Sequence, residues 1–303
     1  MSLDNASHPG RQGSDEVPSR YPLPVGEIDV LVISDGVLPL PTAMLAHNVD
    51  PAVRAAWLKD RFLPPEMLLW PLNVVVVRSG GQTVLIDSGL GADPDLNLPR
   101  AGRLVRRLEA AGVDLASVTD VVMTHMHMDH VGGLLVDGVR ERLRPDLRVH
   151  LAAAEVDFWA SPDFSRVFMP PGFPDALRRT AKRFLDEYHN QLRPFEEEHE
   201  VAPGVLVRRT GGHTPGHSVV RLASGDDRLT FAGDLVFTVG FDHPDWYNGF
   251  EHDPEESARL RVGLLRELAA TGERLVATHL SFPYCRVAVA GDVFRLVPAL
   301  WEY

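Results

Sequence analysis

The chain has one cysteine in 303 residues, Cys285, so it can form neither an internal disulfide nor a thiolate metal cluster. That scarcity fits a reducing compartment. No run approaches the ~20 apolar residues that a membrane-spanning helix needs. Positive charge is in deficit as well, with 30 Lys and Arg against 42 Asp and Glu and a formal net charge of −12. Nucleic acid and anionic membrane surfaces both recruit clustered cations, so neither is expected as the main partner. A small-molecule substrate is expected instead. The first 24 residues are rich in Ser, Pro, Gly and charge and hold no apolar segment of the signal-peptide kind. They read as a flexible arm, residues 25–303 as a single domain, and a cytoplasmic location is expected.

What is present is an ordinary globular composition, 45% hydrophobic and 24% charged. Strands are expected at Glu27–Ile33, ending in a Ser34-Asp35-Gly36 turn, and at Leu72–Val77 and Thr83–Ile86, a hairpin around Ser79-Gly80-Gly81. Residues 39–71 carry six prolines and a helix-like stretch at 51–62. A basic amphipathic helix is expected at Arg100–Ala111, stopped by Gly112. Val118–Met123 and Arg148–Leu151 read as strands and Ala152–Ala160 as a helix. A stiff apolar loop follows over 161–175, then a helix at Asp175–Gln191. Further strands are expected at Val205–Arg209, Ser218–Leu222 and Leu229–Ala232, then a helix at Pro254–Ala270 and a last buried strand at Arg274–Ala277. Glu196-Glu197-Glu198 reads as a solvated face. Such alternation implies a layered α/β domain without an internal boundary.

The densest chemistry lies in Thr124-His125-Met126-His127-Met128-Asp129-His130-Val131-Gly132-Gly133. Three imidazoles and a carboxylate stand within six residues, directly after a strand, although only 13 histidines are spread over the whole chain. His125 and His127 are two apart, so an extended loop projects both to one side. Asp129 and His130 fall where the chain turns into a helix, and the two glycines allow that helix start to approach a sheet. Six residues cannot saturate a metal pair, so further donors are expected at other strand ends. They are there. Gly211-Gly212-His213-Thr214-Pro215-Gly216-His217, Gly233-Asp234 and Thr278-His279 each follow a short apolar run. Imidazoles with carboxylates suit zinc, and also manganese, iron or cobalt.

The order H-x-H-x-D-H, then a distant His, an Asp and a His, resembles the metallo-β-lactamase superfamily over about residues 72–280. The resemblance implies an α/β fold, the αββα sandwich, with two divalent metal ions at one edge. On this resemblance His125, His127 and His213 hold the first ion, Asp129, His130 and His279 the second, and Asp234 bridges both. It also implies hydrolysis by a hydroxide shared between the ions, with Asp129 as the catalytic residue that moves its proton. His217 would orient the loop around His213. Asp87, in Ile86-Asp87-Ser88-Gly89, would brace the histidine loop by hydrogen bonding.

Gly233-Asp234-Leu235 supplies a bridging carboxylate that true metallo-β-lactamases lack, which points to the glyoxalase, lactonase and phosphodiesterase branches. The short apolar C-terminus lacks the basic helical region with which glyoxalases hold glutathione. His279-Leu280-Ser281-Phe282-Pro283, Phe294-Arg295-Leu296-Val297-Pro298 and Ala154-Glu155-Val156-Asp157-Phe158-Trp159 resemble the methyl parathion hydrolase and quorum-quenching lactonase group. That likeness implies an apolar, aromatic pocket and hydrolysis of lactones, aryl esters or phosphotriesters, in a group whose members are often homodimers. The rival from another class is a mononuclear-iron oxidoreductase of the sulfur dioxygenase kind. A binding module with a structural metal is a third.

Trp159 stands either on the pocket wall or in the core, and Trp70, with Leu68 and Leu69, either in the core or at the pocket edge. Lactonases of this group often place a tyrosine three residues after the bridging Asp. Phe237 occupies that position here and has no donor, and Tyr247 replaces it only if its loop folds back. His243 and His252 read as loop histidines, and no donor partner is evident for His8, His47, His150, His189 or His199.

Overall fold

The computed structural model describes residues 18–91 and 98–300. Of the arm expected over 1–24, and with it His8, residues 1–17 lie outside that range, while Arg20–Pro22 is already strand β1, paired antiparallel with the next strand. The first sheet continues with β2 (Asp29–Pro41), β3 (Met67–Ser79), β4 (Gln82–Ile86), β5 (Asp120–Val122), β6 (Arg148–Ala152) and β7 (Leu192–Phe195), neighbours in chain order. The second comprises β8 (Glu198–Ala202), β9 (Val205–Arg209), β10 (Ser218–Ser224), β11 (Asp227–Phe231), β12 (Arg274–Val276), β13 (Cys285–Ala290) and β14 (Val293–Pro298).

Three apolar clusters make four layers of these parts. Successive β-strand side chains point to opposite faces, and the sequence supplies apolar residues at both. Val75, Val77, Val84, Ile86 and Val122 face Val205, Val207, Val220, Leu222 and Phe231 between the sheets. Val74, Val76, Leu85 and Val121 point the other way, against helices. This is why Val74–Val77 is an unbroken valine run, the pattern of a strand covered on both sides. The outer layer of the first sheet holds α1 (Pro51–Asp60), α2 (Leu104–Ala110), the short α3 (Met128–Val131) and α4 (Val139–Arg142), α5 (Ala153–Ala160) and α6 (Phe173–Tyr188). On the second sheet, α7 (Val239–Asp242) contributes Phe241 and α8 (Pro254–Thr271) contributes Leu264, Leu265 and Leu268. Asp253 caps the start of α8 and Gly272, at φ 67°, ends it. The αββα sandwich is therefore the observed fold. No helix among the described residues is long and apolar enough to cross a membrane.

Three expectations change. Ser34-Asp35-Gly36 is no turn: β2 runs through it with a bulge between Ser34 and Gly36. The bulge turns the Asp35 carboxylate inward, where it accepts the backbone N–H groups of Leu90, Gly102 and Leu104 at 2.9, 3.1 and 2.7 Å. Much of the proline-rich stretch is likewise strand, since β2 and β3 pair from Asp29↔Arg78 out to Pro41↔Met67 as a long ribbon. Arg274–Val276 is not the last strand, because β13 and β14 extend its sheet beyond it.

Asp120, at the start of β5, is fully buried and anchors the sandwich end away from the histidine loop. It accepts from His150 Nε2 at 2.7 Å, Arg148 at 2.8 Å and Gln82 at 3.2 Å. Burial opposes its charge, but these bonds outweigh burial and hold the carboxyl below its ordinary range. The stabilisation is full above the ordinary carboxylate pKa near about 4 and is lost as pH falls below it. Asp120→Asn is expected to cost about 2 kcal/mol at pH 7, or roughly 4–8 °C in Tm, with the gap from the parent narrowing below pH 4 in thermal melts.

Candidate metal centre

The donors gather because strands of both sheets end at one rim. β5 runs into Met123 and the His125 loop, β4 into Asp87, β9 into the His213 loop, β11 into Asp234 and β12 into His279. β11 and β12 are parallel neighbours, so their ends lie side by side. Two groups of ligand atoms result, each within 4.8 Å: His125, His127, His213 and Asp234, then Asp129, His130 and His279. All seven side chains are buried.

Distances inside the set fix how the rings face. His125 Nε2 lies 2.9 Å from His127 Nδ1, which lies 3.1 Å from His213 Nε2. Asp234 sits between the groups, its Oδ2 3.4 Å from His213 Nε2 and 3.1 Å from His279 Nε2, its Oδ1 3.3 Å from His130 Nε2. Asp129 Oδ2 is 3.3 Å from His279 Nε2 and 3.7 Å from His130 Nε2.

The far side of these rings is tied down. Asp87, at the left-handed φ of 59° that Asp tolerates, receives His130 Nδ1–H at 2.7 Å and the Thr124 N–H at 2.8 Å. That fixes the His130 tautomer and turns its Nε2 to the centre. His279 donates from Nδ1 to the Pro71 carbonyl at 2.9 Å. Asn73 holds the His279 loop through the carbonyls of Ala277 and Leu280 at 3.0 and 2.7 Å. His217 contributes no atom to either group. Its Nδ1 meets Thr210 Oγ1 at 2.8 Å and its Nε2 accepts the Asp234 N–H at 3.1 Å, so it holds the Asp234 turn as well as the His213 loop.

The residues fit cations. Burial, with the neighbouring imidazoles, holds His125 and His213 well below the ordinary histidine range, and burial with the His252 ring pushes His127 down to about 3. These rings are neutral at pH 7 and offer lone pairs. The second group behaves oppositely. Burial opposes charge on His130 and His279, but Asp234, Asp87 and Asp129 outweigh it at His130 and raise it, and Asp234 and Asp129 bring His279 up to about 10. A negative potential that strong holds protons on imidazoles, and a divalent ion satisfies it by displacing them. His130 Nε2 and Asp234 Oδ1 are moreover buried with no hydrogen-bond partner, as donors aimed at a metal are.

The opening above the centre is narrow and apolar, lined by Leu38, Leu40, Met128, Phe173, Leu177 and Phe250 beside His127, Asp129, Asp234 and His279. A cavity of about 200 Å³ meets it at His279, walled by Trp57, Leu63, Leu68, Leu69, Trp70 and Phe237 among others. Trp70 stands edge-on to His279 at 4.8 Å and stacks on Phe237 at 6.1 Å. Buried Arg261 lies 4.4 Å over the Phe237 ring.

Trp70 and Phe237 both line that cavity. Trp159 lines neither opening: it packs behind His127, 6.0 Å between ring centres, and donates Nε1–H to Glu155 at 2.7 Å. Tyr247 packs on His47, 6.2 Å between ring centres, and its N–H bonds Asn48. Its neighbour Phe250 reaches the opening instead. His243 stacks on Trp246 at 3.8 Å. His252, read as a loop histidine, is buried: its N–H bonds the His213 carbonyl at 2.9 Å and burial brings its ring down to about 4. The residue most thoroughly missed is Glu155, a fully buried carboxylate between the two histidine loops. An acid inside the apolar stretch 152–160 was its signal.

The metallo-beta-lactamase superfamily profile matches residues 68–279, and the chain belongs to that superfamily. AidC, a dizinc quorum-quenching lactonase solved with its product, superposes with a TM-score of 0.85 at 24% identity, over 94% of this chain and 99% of that one. The hydrolase AbOPH gives 0.83 at 24% identity, over 95% and 100%. Both show the fold. A hydroxyacylglutathione hydrolase of Bradyrhizobium sp. (strain ORS 278) is 48% identical over 157 residues, 51% of this chain and 47% of that protein. The chain spans about half the length of the curated relatives it matches.

Asp87→Ala frees His130 to rotate and is expected to weaken zinc binding about 10–100-fold. Competition titration of the metal-free protein against a chromophoric chelator measures it.

Proposed function

We propose that the protein is a dinuclear metal-dependent hydrolase that opens lactones or cleaves esters of neutral, apolar substrates. The observation that carries this reading is the contrast inside the site: polar donors directed at one point, under walls of leucine, methionine and phenylalanine. No lysine or arginine lines either opening among the described residues. That disfavours an anionic polymer or a glutathione conjugate, which such a wall would strip of water without compensation. AidC's bound product is an acylated homoserine, whose parent lactone is neutral and carries an apolar acyl chain.

His125, His127 and His213 would hold one ion, Asp129, His130 and His279 the other, with Asp234 shared. Zinc fits these donors, as do manganese, iron and cobalt. Bound there, divalent ions polarise a carbonyl or phosphoryl oxygen and make water acidic enough to supply a nucleophile at neutral pH. The chain's residues do the rest. Asp129 borders the opening and, with Oδ2 turned to His279, takes the proton of the attacking water on Oδ1 and returns it to the leaving oxygen. Trp70 and Phe237 exclude water from the bound acyl or aryl group. A phenyl ring at 237 donates no hydrogen bond, so oxyanion stabilisation does not come from that position.

Phosphotriester or aryl-ester cleavage is the second reading, favoured by the same neutral walls, since such substrates carry no charge to pair. The second donor group is complete, which speaks against a lone iron of the sulfur dioxygenase kind.

A panel of lactones, aryl esters and phosphotriesters on protein of known metal content decides among these. Turnover of a lactone with an apolar acyl chain is expected; no turnover of any of the three classes would falsify the proposal. Asp129→Ala is expected to lower kcat by about 10²–10⁴ on the best substrate, and unchanged kcat removes Asp129 from proton transfer.

A further inference from the structure

We infer that Glu155 is a positioning residue of the metal centre, whose buried carboxylate sets the spacing between the loop of His125 and His127 and the loop of His213. Glu155 stands in the first turn of α5, just past the end of β6. Oε1 accepts the Met126 N–H at 2.9 Å and the Trp159 Nε1–H at 2.7 Å. Oε2 accepts the Thr214 hydroxyl at 2.7 Å and the Gly216 N–H at 3.0 Å. Met126 lies between two of the ligands, Thr214 directly after the third, and Gly216 directly before His217. One side chain therefore grips both loops beside the ligands themselves.

The grip matters because the loops leave different sheets. β5 belongs to the first, β9 and β10 to the second. A Ser218 N–H to Thr124 carbonyl bond of 2.9 Å ties the bases of the loops, and the Glu155 carboxylate ties them level with the rings. Gly216 packs so closely on Glu155 that a Cβ there would overlap its backbone. Trp159, read from the sequence as either pocket wall or core, completes the carboxylate's coordination.

The arrangement selects for a carboxylate of this length. Three of the four donors are N–H groups, which can only donate, so both oxygens must accept. Glutamine turns an NH₂ toward one of the two pairs and leaves at least one N–H facing another donor. Aspartate is one methylene short of both loops.

The inference rests on reading the seven side chains as a metal site, and one experiment separates the two. Metal-free full-length protein is titrated with zinc against a chromophoric chelator, for the parent, Glu155→Gln, Thr214→Val and His213→Ala, with metal-free melts alongside. Glu155→Gln is expected to bind the zinc equivalent that His213→Ala loses about 10–100-fold more weakly, and the other equivalent less than about threefold so. Thr214→Val, which removes one of the four bonds, falls between parent and Glu155→Gln. Equal weakening of both equivalents, or none, overturns the inference, since a merely structural role lowers the metal-free melt without choosing between ions. Should Glu155→Gln not fold, Thr214→Val and Trp159→Phe carry the test, each expected to weaken that one equivalent and overturning the inference by leaving it unchanged. A parent that takes up no zinc overturns the metal reading itself, and this inference with it.

Discussion

Buried negative charge is the constraint on which the structure turns. Asp87, Asp129 and Asp234 crowd the imidazole of His130, and the last two that of His279, all of them buried. Carboxylates removed from solvent are costly unless matched by cations and hydrogen bonds. Much of the polar interior answers that requirement. Thr124 and the His130 ring face Asp87, the Asp234 N–H reaches His217, and Pro71 orients His279. The four layers supply rigidity, since strands packed on both sides do not let their ends drift.

The seven donors were legible in the sequence because four of them follow short apolar runs and the other three crowd beside the first within residues 125–130. His125, His213, Asp234 and His279 announce themselves by that placement. The central strands were legible for a related reason, being continuous apolar runs. What stayed hidden depends on contacts between segments far apart in the chain. Asp35 sits in a Ser-Asp-Gly triplet that spells a turn, and only the backbone N–H groups of Leu90, Gly102 and Leu104 reveal it as the heart of a bulge. β7 and β8 were obscured by Pro194 and a run of glutamates on the strands where the two sheets end. β13 and β14 interleave Arg286 and Arg295 with small apolar residues, a weak strand signal until β12 supplies an edge to pair with.

The walls of the opening were opaque for another reason. Leu38 and Leu40 come from β2, Phe173 and Leu177 from α6, and Phe250 from the loop before α8. In sequence each looks like any residue of a core, since burial against protein and burial against a ligand ask for the same side chain. Glu155 shows the converse. Of its four partners only Trp159 is local, and the others become apparent only when two loops from different sheets meet around it.

The stack from Arg261 through Phe237 and Trp70 to His279 gives the larger cavity two unlike sides. One side leans on His279 and carries a buried guanidinium that also grips the carbonyls of Leu235 and Pro244. Leu63, Leu68 and Leu69, near the outer end of the β2–β3 ribbon, have no such entanglement with the centre. Substitutions can therefore accumulate at Leu63, Leu68 and Leu69 and reshape that cavity, while Trp70 and Phe237 stay nearly frozen.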